Sequence, residues 1–366
     1  MKVVLLSAAS SVHTIRWANG LSHEGLDVHV ISQHPQIEPM DHKVTLHLLP
    51  YRGTLGYFTI VPEVKKLLNR INPDIVNAHY ASGYATTASL VGYHPWILSV
   101  WGSDIYDFPH TSLLHKFLVC RNLLSADKVA STSICMAKET QLLEPKLKNI
   151  AITPFGVDTH YYNSLTTSLA ERNKSKEIII GTVKTLDEKY GIDTLIKAFA
   201  IIIDDLLLYY PDVVSKIILR IVGDGPQYNA LKALTTHLGI SEKVKFVGRV
   251  NSTDVPLELN KLDIYVALSR SESFGVAIIE AGAAGRPVVV SDAGGLPEVV
   301  KNGQTGIVVP KENPQAAADA IKKLILDKNL RIQMGSAGKQ HVANNYDWKV
   351  CVNKMISLYK DVITNN

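Results

Sequence analysis

Two glutamates, Glu272 and Glu280, stand eight positions apart in the segment ESFGVAIIE, with an apolar run between them. Buried apolar runs seldom contain carboxylates unless the charge is paired, so these two residues raise the question of a function. If both project toward a ligand, one carboxylate could accept hydrogen bonds from the paired hydroxyls of a ribose. The alternative is that Glu280 is a solvated helix residue and Glu272 a charge in a loop.

The residues before Glu280 have the character of a loop that enters a helix. The segment SRSESFG follows the strand-like run DIYVAL, and helical periodicity begins at about Val276. The first turn of a helix has unpaired amide N–H groups at the positive end of its dipole, which together bind anions such as phosphate. Gly275 has no side chain, so the backbone can approach such an anion closely.

Two lysines, Lys184 and Lys189, follow the strand-like run EIIIGTV. The end of the first strand in a doubly wound domain faces the ligand, so two cations there could neutralise a diphosphate. As an isolated pair they would be better explained as solvated surface lysines, and it is their position after the strand that favours a role in binding. The segment VGDGP also follows a strand-like run, and its Gly223 could contact a nucleotide or simply form a tight turn.

Several common nucleotide and metal motifs are missing from the sequence. The loop after the first strand-like run, AASSVHT, contains no glycine, which argues against a dinucleotide site of the G-x-G-x-x-G type. There is no Walker phosphate loop, no D-x-D pair for a metal, and no histidine or cysteine cluster with zinc spacing. We therefore expect no metal and no cofactor, and a diphosphate neutralised by fixed cations and backbone amides.

Strand-like and helix-like segments alternate along the whole chain, and they would have to position these residues. The alternation predicts parallel sheets covered by helices, which bind ligands at the carboxyl ends of their strands. At 366 residues the chain suits two such domains, so we predict an α/β fold with two Rossmann-like doubly wound domains facing a central cleft. The strand-like runs are KVVLLS, LDVHVIS, VTLHLL, DIVNAH, WILSVWG, DKVAST and NIAITP in the first half, and EIIIGTV, KIILRIVG, VKFVG, DIYVAL, RPVVVSD and TGIVVP in the second.

Composition predicts the domain boundaries. The polar stretch NSLTTSLAERNKSKE lacks apolar periodicity and separates the two halves. We predict an N-terminal domain over residues 1–165, a linker over 166–177 and a C-terminal domain over 178–345. The last segment, 346–366, is amphipathic and is predicted to be a helix that could pack back on the N-terminal domain.

Charge and cysteine content exclude some classes of protein. The formal net charge of +4 is small for this length and argues against nucleic acid as a partner. Three separated cysteines form no disulfide framework and favour a reducing cytosol. The segment 80–103 contains no Asp, Glu, Lys or Arg, but it is rich in Ser, Thr and Gly and Pro95 divides it. A buried helix followed by a buried strand is therefore expected rather than a transmembrane span.

Taken in order, these segments resemble the retaining, metal-independent glycosyltransferases of family 4, which have the GT-B fold. The second half is similar through GTVKTLDEKYGIDTLIKAF, LRIVGDGP, VKFVGRV and SRSESFGVAIIEAGAAGRPVVVSDAGGLPEVVKNGQTGIVVP. The first half is similar through GLSHEGLDVHVIS, PDIVNAHY, WGSDIY and ITPFGVDTHYYN. The E-x7-E element followed by G-x-P-V-V is specific to the family, and the resemblance covers nearly the whole chain.

The resemblance implies transfer of a sugar from a nucleotide-sugar, with a UDP-sugar favoured, and with retention of anomeric configuration. It implies that Glu280 holds the ribose and that Glu272 lies beside the donor sugar. Lys184 and Lys189 match the family's R-x4-K clamp on the diphosphate, with lysine in place of arginine, so backbone amides would have to help because lysine cannot bind in a bidentate manner. The implied donor-binding residues are Lys184, Lys189, Gly223, Val247, Gly248, Arg249, Phe274, Gly275, Val276 and Glu280.

The first half departs from the family pattern near the reaction centre. The family often has a histidine in an H-G-x-D element, whereas this sequence has Trp101 in WGSD and keeps Asp104. His13 and His79 could line the acceptor side of the cleft instead, or could be structural. The implied catalytic residues are Glu272, Lys189 and Asp104, and the acceptor-side residues are His13, His79, Trp101 and Asp104.

The resemblance also implies the acceptor and the location. The acceptor would be a glycan or a lipid-linked glycan of bacterial cell-surface polysaccharide biosynthesis, and the protein would be cytoplasmic, at times on the inner face of the cytoplasmic membrane. The segment 110–128 suits either a peripheral membrane contact or an ordinary helix buried on one side. Other readings are a GT-B phosphorylase, synthase or epimerase, and a non-catalytic GT-B partner subunit.

Overall fold

The computed structural model describes residues 1–172 and 177–365. They form two compact units. The first contains residues 1–155 and the helix that begins at Trp348, and the second contains residues 156–347. In both units the pairings between the described strands are parallel, which confirms the predicted α/β class.

The first unit is built on a seven-stranded sheet within the described residues, and each strand lies in one of the seven runs predicted for the first half. The sheet order is β3-β2-β1-β4-β5-β6-β7. Chain order therefore reverses between β1 and β4, which is where doubly wound sheets bind ligands. The strands are β1 (Lys2–Leu6), β2 (Asp27–Ser32), β3 (Thr45–Leu48), β4 (Ile75–His79), β5 (Trp96–Val100), β6 (Lys128–Ser131) and β7 (Ala151–Ile152).

Helices connect these strands. The uncharged segment 80–103 forms a helix whose residues are mostly buried, followed by the fully buried strand β5, as predicted. The helices are α1 (Val12–His23), α2 (Gly53–Thr59), α3 (Val61–Ile71), α4 (Gly83–Val91), α5 (Ser103–Tyr106), α6 (Leu113–Ser125) and α7 (Ile134–Leu143), with a 3-10 helix at Phe108–His110.

The second unit is built on a six-stranded sheet within the described residues, and its strands lie in the six runs predicted for the second half. Its order is β10-β9-β8-β11-β12-β13, so chain order reverses between β8 and β11. The strands are β8 (Ile178–Val183), β9 (Ile217–Val222), β10 (Val244–Gly248), β11 (Ile264–Ala267), β12 (Val288–Ser291) and β13 (Gly306–Val309).

The helices of the second unit surround this sheet. The helix after β8 has an apolar face in which Leu195, Phe199, Ile202 and Leu206 are buried. The helices are α8 (Thr159–Leu165), α9 (Leu169–Arg172), α10 (Ile192–Leu207), α11 (Pro211–Lys216), α12 (Tyr228–His237), α13 (Val255–Asn260), α14 (Val276–Ala283), α15 (Leu296–Val299), α16 (Pro314–Leu326) and α17 (Lys328–Asn345), with 3-10 helices at Glu188–Tyr190, Ser241–Lys243 and Ser252–Asp254.

Polar side chains cap the N-termini of several helices. Ser112, Ser133, Asp158, Asn313 and Asp327 each accept a hydrogen bond from the backbone amide three residues later. Such caps satisfy one of the amides that the first helical turn leaves unpaired. The segments that precede these helices are thereby fixed at their helix ends.

The last helix, α18 (Trp348–Asn365), belongs to the first unit. Asn77 Nδ2 donates to Tyr359 Oη at 2.8 Å, and Trp348 Nε1 donates to the Arg16 carbonyl at 3.1 Å. Gly20 lets this helix approach α1, since a Cβ there would lie 2.6 Å from Trp348 Nε1.

The division differs from the predicted boundary, because residues 156–165 belong to the second unit. The physical reason is that α8 packs against α13 and α14, and Tyr161 Oη donates to the Thr253 carbonyl at 3.0 Å. Of the predicted linker, residues 173–176 lie outside the described part of the chain. None of the described helices has the length and apolar composition needed to span a membrane.

Candidate active site

The lysine loop, residues 184–191, leaves the carboxyl end of β8 and crosses the loop that follows β9. Lys184 N donates to the Val222 carbonyl at 2.9 Å, and Leu186 N donates to the Asp224 carbonyl at 3.0 Å. Gly223 has φ +140°, and a Cβ there would overlap the Lys184 carbonyl oxygen. Gly223 is thus required for the close approach of two loops, whether or not it also contacts a ligand.

Lys184 and Glu272 form an ion pair that is largely shielded from solvent. Lys184 Nζ lies 2.7 Å from Glu272 Oε2, and the two side chains are 16% and 13% exposed. Burial lowers the pKa of Lys184, but the Glu272 carboxylate, with Tyr190 and Tyr265, more than offsets this, so the net shift is upward. The sequence predicted both residues for the donor site but not that each neutralises the other.

Lys189 is exposed and lies on the 3-10 helix Glu188–Tyr190. Its Nζ is 5.2 Å from the centroid of the Tyr190 ring, and the Lys184 Nζ is 4.2 Å from the same centroid. The negative face of an aromatic ring attracts cations, so Tyr190 helps to hold both lysines at one place. Tyr190 is not among the predicted residues, although the aromatic directly after Lys189 in DEKYG is a usable signal.

The glutamate loop, residues 268–275, carries Glu272 from β11 to α14. The loop after β12 supports it: Gly295 N donates to the Glu272 carbonyl at 3.0 Å. Gly294 has φ +52°, and a Cβ there would overlap the same carbonyl oxygen. The paired glycines in SDAGG therefore set the position of Glu272, a role that was not predicted for them.

Helix α14 begins at Val276, as predicted. Ile278 N and Ile279 N donate to the Gly275 carbonyl at 2.9 Å and 3.3 Å, so the amides of Val276 and Ala277 are the ones that precede the first hydrogen-bonded turn. Gly275 has φ +109°, a conformation that favours glycine, and Phe274 is buried. A Cβ at Gly275 would lie 3.0 Å from Leu296 Cδ2, so this position is also closely packed. The structure thus supplies the helix N-terminus that the sequence predicted for a phosphate.

Glu280 is half-buried on α14. Burial raises the pKa of the neighbouring Tyr265 to about 12, and the Glu280 carboxylate adds to this rise while Lys184 opposes it. Tyr265 is fully buried, and its Oη donates to the Val183 carbonyl at 3.3 Å. The charges of Glu280 and Lys184 therefore act on the same phenol, at the carboxyl end of β8.

A cavity of about 530 Å³ opens at the carboxyl ends of β8, β9 and β10. Three of the residues predicted to bind the sugar donor line it: Lys184, Gly223 and Arg249. The predicted Val247 and Gly248 do not line it; Gly248 instead accepts a hydrogen bond from Gly223 N at 2.8 Å. Its lining residues are Val183, Lys184, Thr185, Val222, Gly223, Asp224, Gly225, Arg249, Val250 and Val255, of which several were not predicted.

In the first unit, His79 lies at the carboxyl end of β4 and is 1% exposed. Its Nδ1 is 2.9 Å from Ser7 Oγ, which in turn is 2.7 Å from Thr14 Oγ1. Burial, with a smaller contribution from His13, lowers the pKa of His79 to about 3. His79 is therefore neutral at physiological pH.

His13 and Trp101 join His79 in one aromatic cluster. The His79 and Trp101 ring centroids are 4.3 Å apart, and those of His13 and Trp101 are 5.9 Å apart. His13 stacks on Phe155 at 4.2 Å, and burial, with a contribution from Arg16, lowers its pKa to about 4. The predicted acceptor-side residues thus come together, with Phe155 as a member that was not predicted.

Asp104 is buried, and backbone amides surround its carboxylate. Oδ2 accepts from Ala81 N at 2.8 Å, and Oδ1 accepts from Gly102 N at 2.8 Å and from Trp101 N at 3.2 Å. Burial raises its pKa, although these amides oppose the rise. These bonds join the loops after β4 and β5 and so hold them in position, while the catalytic role of Asp104 stays a prediction.

No group of three or more His, Cys, Asp or Glu side chains among residues 1–172 and 177–365 is arranged to hold a metal ion. The expectation of metal-independent chemistry stays a prediction.

Comparison with known proteins gives two matching family models. One, described as glycosyl transferase 4-like, matches residues 2–133, and the other, described as glycosyl transferases group 1, matches residues 166–341. Among curated relatives, the N-acetyl-alpha-D-glucosaminyl L-malate synthase of Bacillus anthracis is 26% identical over 323 residues, which is 84% of this chain and 80% of that protein.

Solved structures show the same fold. A sucrose-phosphate synthase from Thermosynechococcus elongatus is similar with a TM-score of 0.79 and 19% identity, covering 100% of both chains. Anabaena HepE in complex with UDP-glucose is similar with a TM-score of 0.78 and 19% identity, covering 99% of this chain and 100% of that one.

Proposed function

The chain belongs to the group 1 glycosyltransferases, of the family 4 type with the GT-B fold, and on this premise we propose that it is a retaining enzyme that uses a nucleoside diphosphate sugar. The observation that carries the proposal is the donor-like site of the second unit. Lys184 pairs with Glu272, Lys189 follows β8, and α14 begins after the neighbouring parallel strand β11. A cavity of about 530 Å³, which Lys184 lines, lies at the carboxyl ends of β8, β9 and β10 and supports the proposal.

The charges of this site suit a diphosphate leaving group. Lys189 has no carboxylate partner within the described residues, whereas the charge of Lys184 is offset by Glu272. When the bond between the anomeric carbon and the phosphate oxygen breaks, negative charge grows on the diphosphate. Lys189 and the amides at the start of α14 stabilise that charge, and Glu272 positions the sugar.

The proton of the acceptor hydroxyl passes to the departing phosphate oxygen as the acceptor oxygen bonds to the same face of the anomeric carbon. The state of the histidines supports this front-face route. Burial lowers the pKa of His79 to about 3 and that of His13 to about 4, so neither is a strong base. The same route explains retention without a nucleophilic side chain.

We take a UDP-sugar as the first donor to test and a glycan or lipid-linked glycan as the acceptor.

The start of α6 supports contact with a membrane that carries such an acceptor. Leu113, Leu114 and Phe117 are 87%, 73% and 66% exposed, and Lys116 and Arg121 lie on the same helix. Exposed apolar side chains beside basic ones suit the surface of an anionic bilayer on the cytoplasmic side.

A donor screen tests the proposal. Thermal unfolding is measured with UDP-glucose, UDP-N-acetylglucosamine, UDP-galactose and GDP-mannose, since a ligand at about 100 times its Kd stabilises the folded state by about 2.7 kcal/mol. We expect at least one donor to raise Tm in the wild type and to lose this effect in Glu280→Gln. Absence of any shift would contradict the proposal and favour a non-catalytic subunit.

Product analysis separates the remaining enzyme classes. The stabilising donor is incubated with and without candidate glycan acceptors, and the products are identified by NMR. A transferase forms a new glycoside with the donor's anomeric configuration only when acceptor is present. An epimerase changes the donor without acceptor, and a phosphorylase needs inorganic phosphate, so either result would overturn the assignment.

A further inference from the structure

We propose that Arg270 is a positioning residue that fixes the lysine loop, and through it Lys189, for binding of the donor diphosphate. The inference rests on the proposed function and adds to it a residue that no motif identified. Arg270 lies on the glutamate loop, two residues before Glu272, and its side chain is 25% exposed. It touches the lysine loop rather than the cavity at the strand ends.

Two hydrogen bonds from Arg270 hold the backbone around Lys189. Arg270 Nη1 donates to the Glu188 carbonyl at 2.6 Å, and Arg270 N donates to the Lys189 carbonyl at 2.7 Å. The Lys189 side chain is exposed, and the only contact the structure gives its Nζ, among the described residues, is the Tyr190 ring. The position of its ammonium group therefore depends on how firmly its backbone is held.

Arg270 also anchors the element into which the lysine loop runs. Its Nη1 and Nη2 each lie 2.9 Å from one oxygen of Asp193, which is in the first turn of α10. This bidentate geometry is the strongest form of side-chain ion pair and fixes direction as well as distance. The lysine loop is consequently held both beside Lys189 and at its downstream end.

A third loop accepts a hydrogen bond from the same guanidinium. Arg270 Nε donates to Glu312 Oε1 at 3.0 Å, from the loop that follows β13. Glu312 has φ +56°, which is uncommon for a residue with a side chain. Loops after β8, β11 and β13 thus meet at Arg270, so the residue joins the lysine loop and the glutamate loop into one arrangement.

Lysine cannot replace arginine in this role. The guanidinium uses three nitrogens in a fixed plane to reach Glu188, Asp193 and Glu312, whereas an ammonium is a single point charge on a flexible stem. Arg270→Lys keeps the positive charge of the site but removes the planar arrangement of three N–H-bearing nitrogens. Any loss of diphosphate binding in this variant then reports geometry rather than net charge.

The second unit offers a matched control. Arg220 Nε and Nη2 lie 2.8 Å and 2.6 Å from Glu258 Oε2, and this pair is also partly buried. Arg220 is on β9 and Glu258 on α13, and neither side chain has a described contact with the lysine loop. Arg220→Lys therefore breaks an equivalent ion pair without touching Lys189.

The experiment measures binding of UDP and of inorganic pyrophosphate by calorimetry in five proteins: the wild type, Arg270→Lys, Arg220→Lys, Lys189→Ala and the double variant Arg270→Lys/Lys189→Ala. We expect Arg270→Lys to weaken UDP binding about tenfold, and Arg220→Lys to change it less than about twofold. Because Arg270 acts through Lys189, the Arg270→Lys change should cost less than about twofold in the Lys189→Ala background.

Two results would overturn the inference. One is wild-type affinity in Arg270→Lys, and the other is an equal loss from this change with and without Lys189. If Arg270→Lys does not fold, Asp193→Asn replaces it, since that change weakens the bidentate contact and keeps the arginine. Failure of the wild type to bind either UDP or pyrophosphate would instead overturn the proposed function, and the inference with it.

Discussion

Lys189 carries a positive charge that no described carboxylate neutralises, beyond the carboxyl end of β8, where we propose that a diphosphate binds. Lys184 differs, because Glu272 lies 2.7 Å from its Nζ. A donor that enters this site meets one available cation and one that is already paired. The two lysines of the K-x4-K segment should therefore have unequal effects on turnover.

Lys189→Ala should lower kcat/KM by about 100- to 1000-fold, which is the usual loss when a preorganised stabiliser of transition-state charge is removed. The fold should remain intact because Lys189 is exposed. Steady-state kinetics and thermal unfolding check both points. Lys245→Ala, an exposed lysine on β10, is the control and should keep the wild-type rate. Near-normal turnover in Lys189→Ala would contradict the role.

His79 gives a prediction for stability against pH. Its folded pKa is lowered from 6.5 to about 3, so the unfolded chain takes up the proton first as the pH falls. The stability linked to His79 is complete above pH 6.5 and is lost as the pH falls toward about 3. Between pH 7 and 5 this loss is roughly 2 kcal/mol.

Urea unfolding at pH 7 and pH 5 measures this loss, with His79→Gln as the comparison. The variant lacks the titrating group, so its unfolding free energy should fall less between the two pH values. An equal fall in both proteins would show that His79 is not the residue responsible. The variant also loses part of its contact with Ser7, so the comparison rests on the pH slope and not on absolute stability.

At the scale of elements, the loop after β12 determines where Glu272 lies. Gly294 has a left-handed conformation, and a Cβ at this position would overlap the Glu272 carbonyl oxygen. Gly303 also has a positive φ, but a Cβ there would meet nothing within 4 Å. Comparing alanine substitutions at the two glycines therefore distinguishes the effect of backbone strain from the effect of displacing the glutamate loop.

Gly294→Ala should lower kcat by about 100-fold, because small displacements of a substrate-positioning group have effects of this size. Both Gly294→Ala and Gly303→Ala should lose about 1–2 kcal/mol of stability from the unfavourable φ. Gly303→Ala should keep its kcat within about twofold. Equal kcat values in the two variants would argue against control of Glu272 by this loop.

At the scale of the whole molecule, the chain enters the second unit at residue 156 and returns to the first with α18. The last helix supplies buried contacts to the first sheet, among them the bond from Asn77 to Tyr359. The donor-binding residues predicted for this protein all lie between residues 156 and 347. Stability of the first unit and donor binding should therefore be separable.

Tyr359→Phe should destabilise the first unit by about 1–3 kcal/mol, because the buried Asn77 amide loses its 2.8 Å bond to Tyr359 Oη and keeps only a weak contact with Met355 Sδ. UDP affinity should be unchanged. Hydrogen exchange of the first unit and calorimetry with UDP measure the two effects, and Tyr209→Phe, at an exposed tyrosine of the second unit, is the control. A parallel fall in UDP affinity would show that the two units are energetically coupled.

The sequence by itself determined the strands, the start of α14 and the types of residue at the donor site. These depend on local periodicity and on short motifs, so Val276 and the runs around β8 and β11 could be identified without tertiary contacts. Parallel strands also bring their carboxyl ends to one edge, which favours a ligand near Lys184, and the resemblance to family 4 assigned Lys184 and Glu272 to the same donor site.

Tertiary structure alone decided how those residues are used. Lys184 and Glu272 are 88 residues apart, and only the adjacency of β8 and β11 brings them into contact. Burial keeps His79 neutral, and it leaves the Asp104 carboxylate accepting hydrogen bonds from backbone amides. Contacts between distant loops and the pKa shifts caused by burial have no local signal in a sequence, because both arise when separate strands pack together.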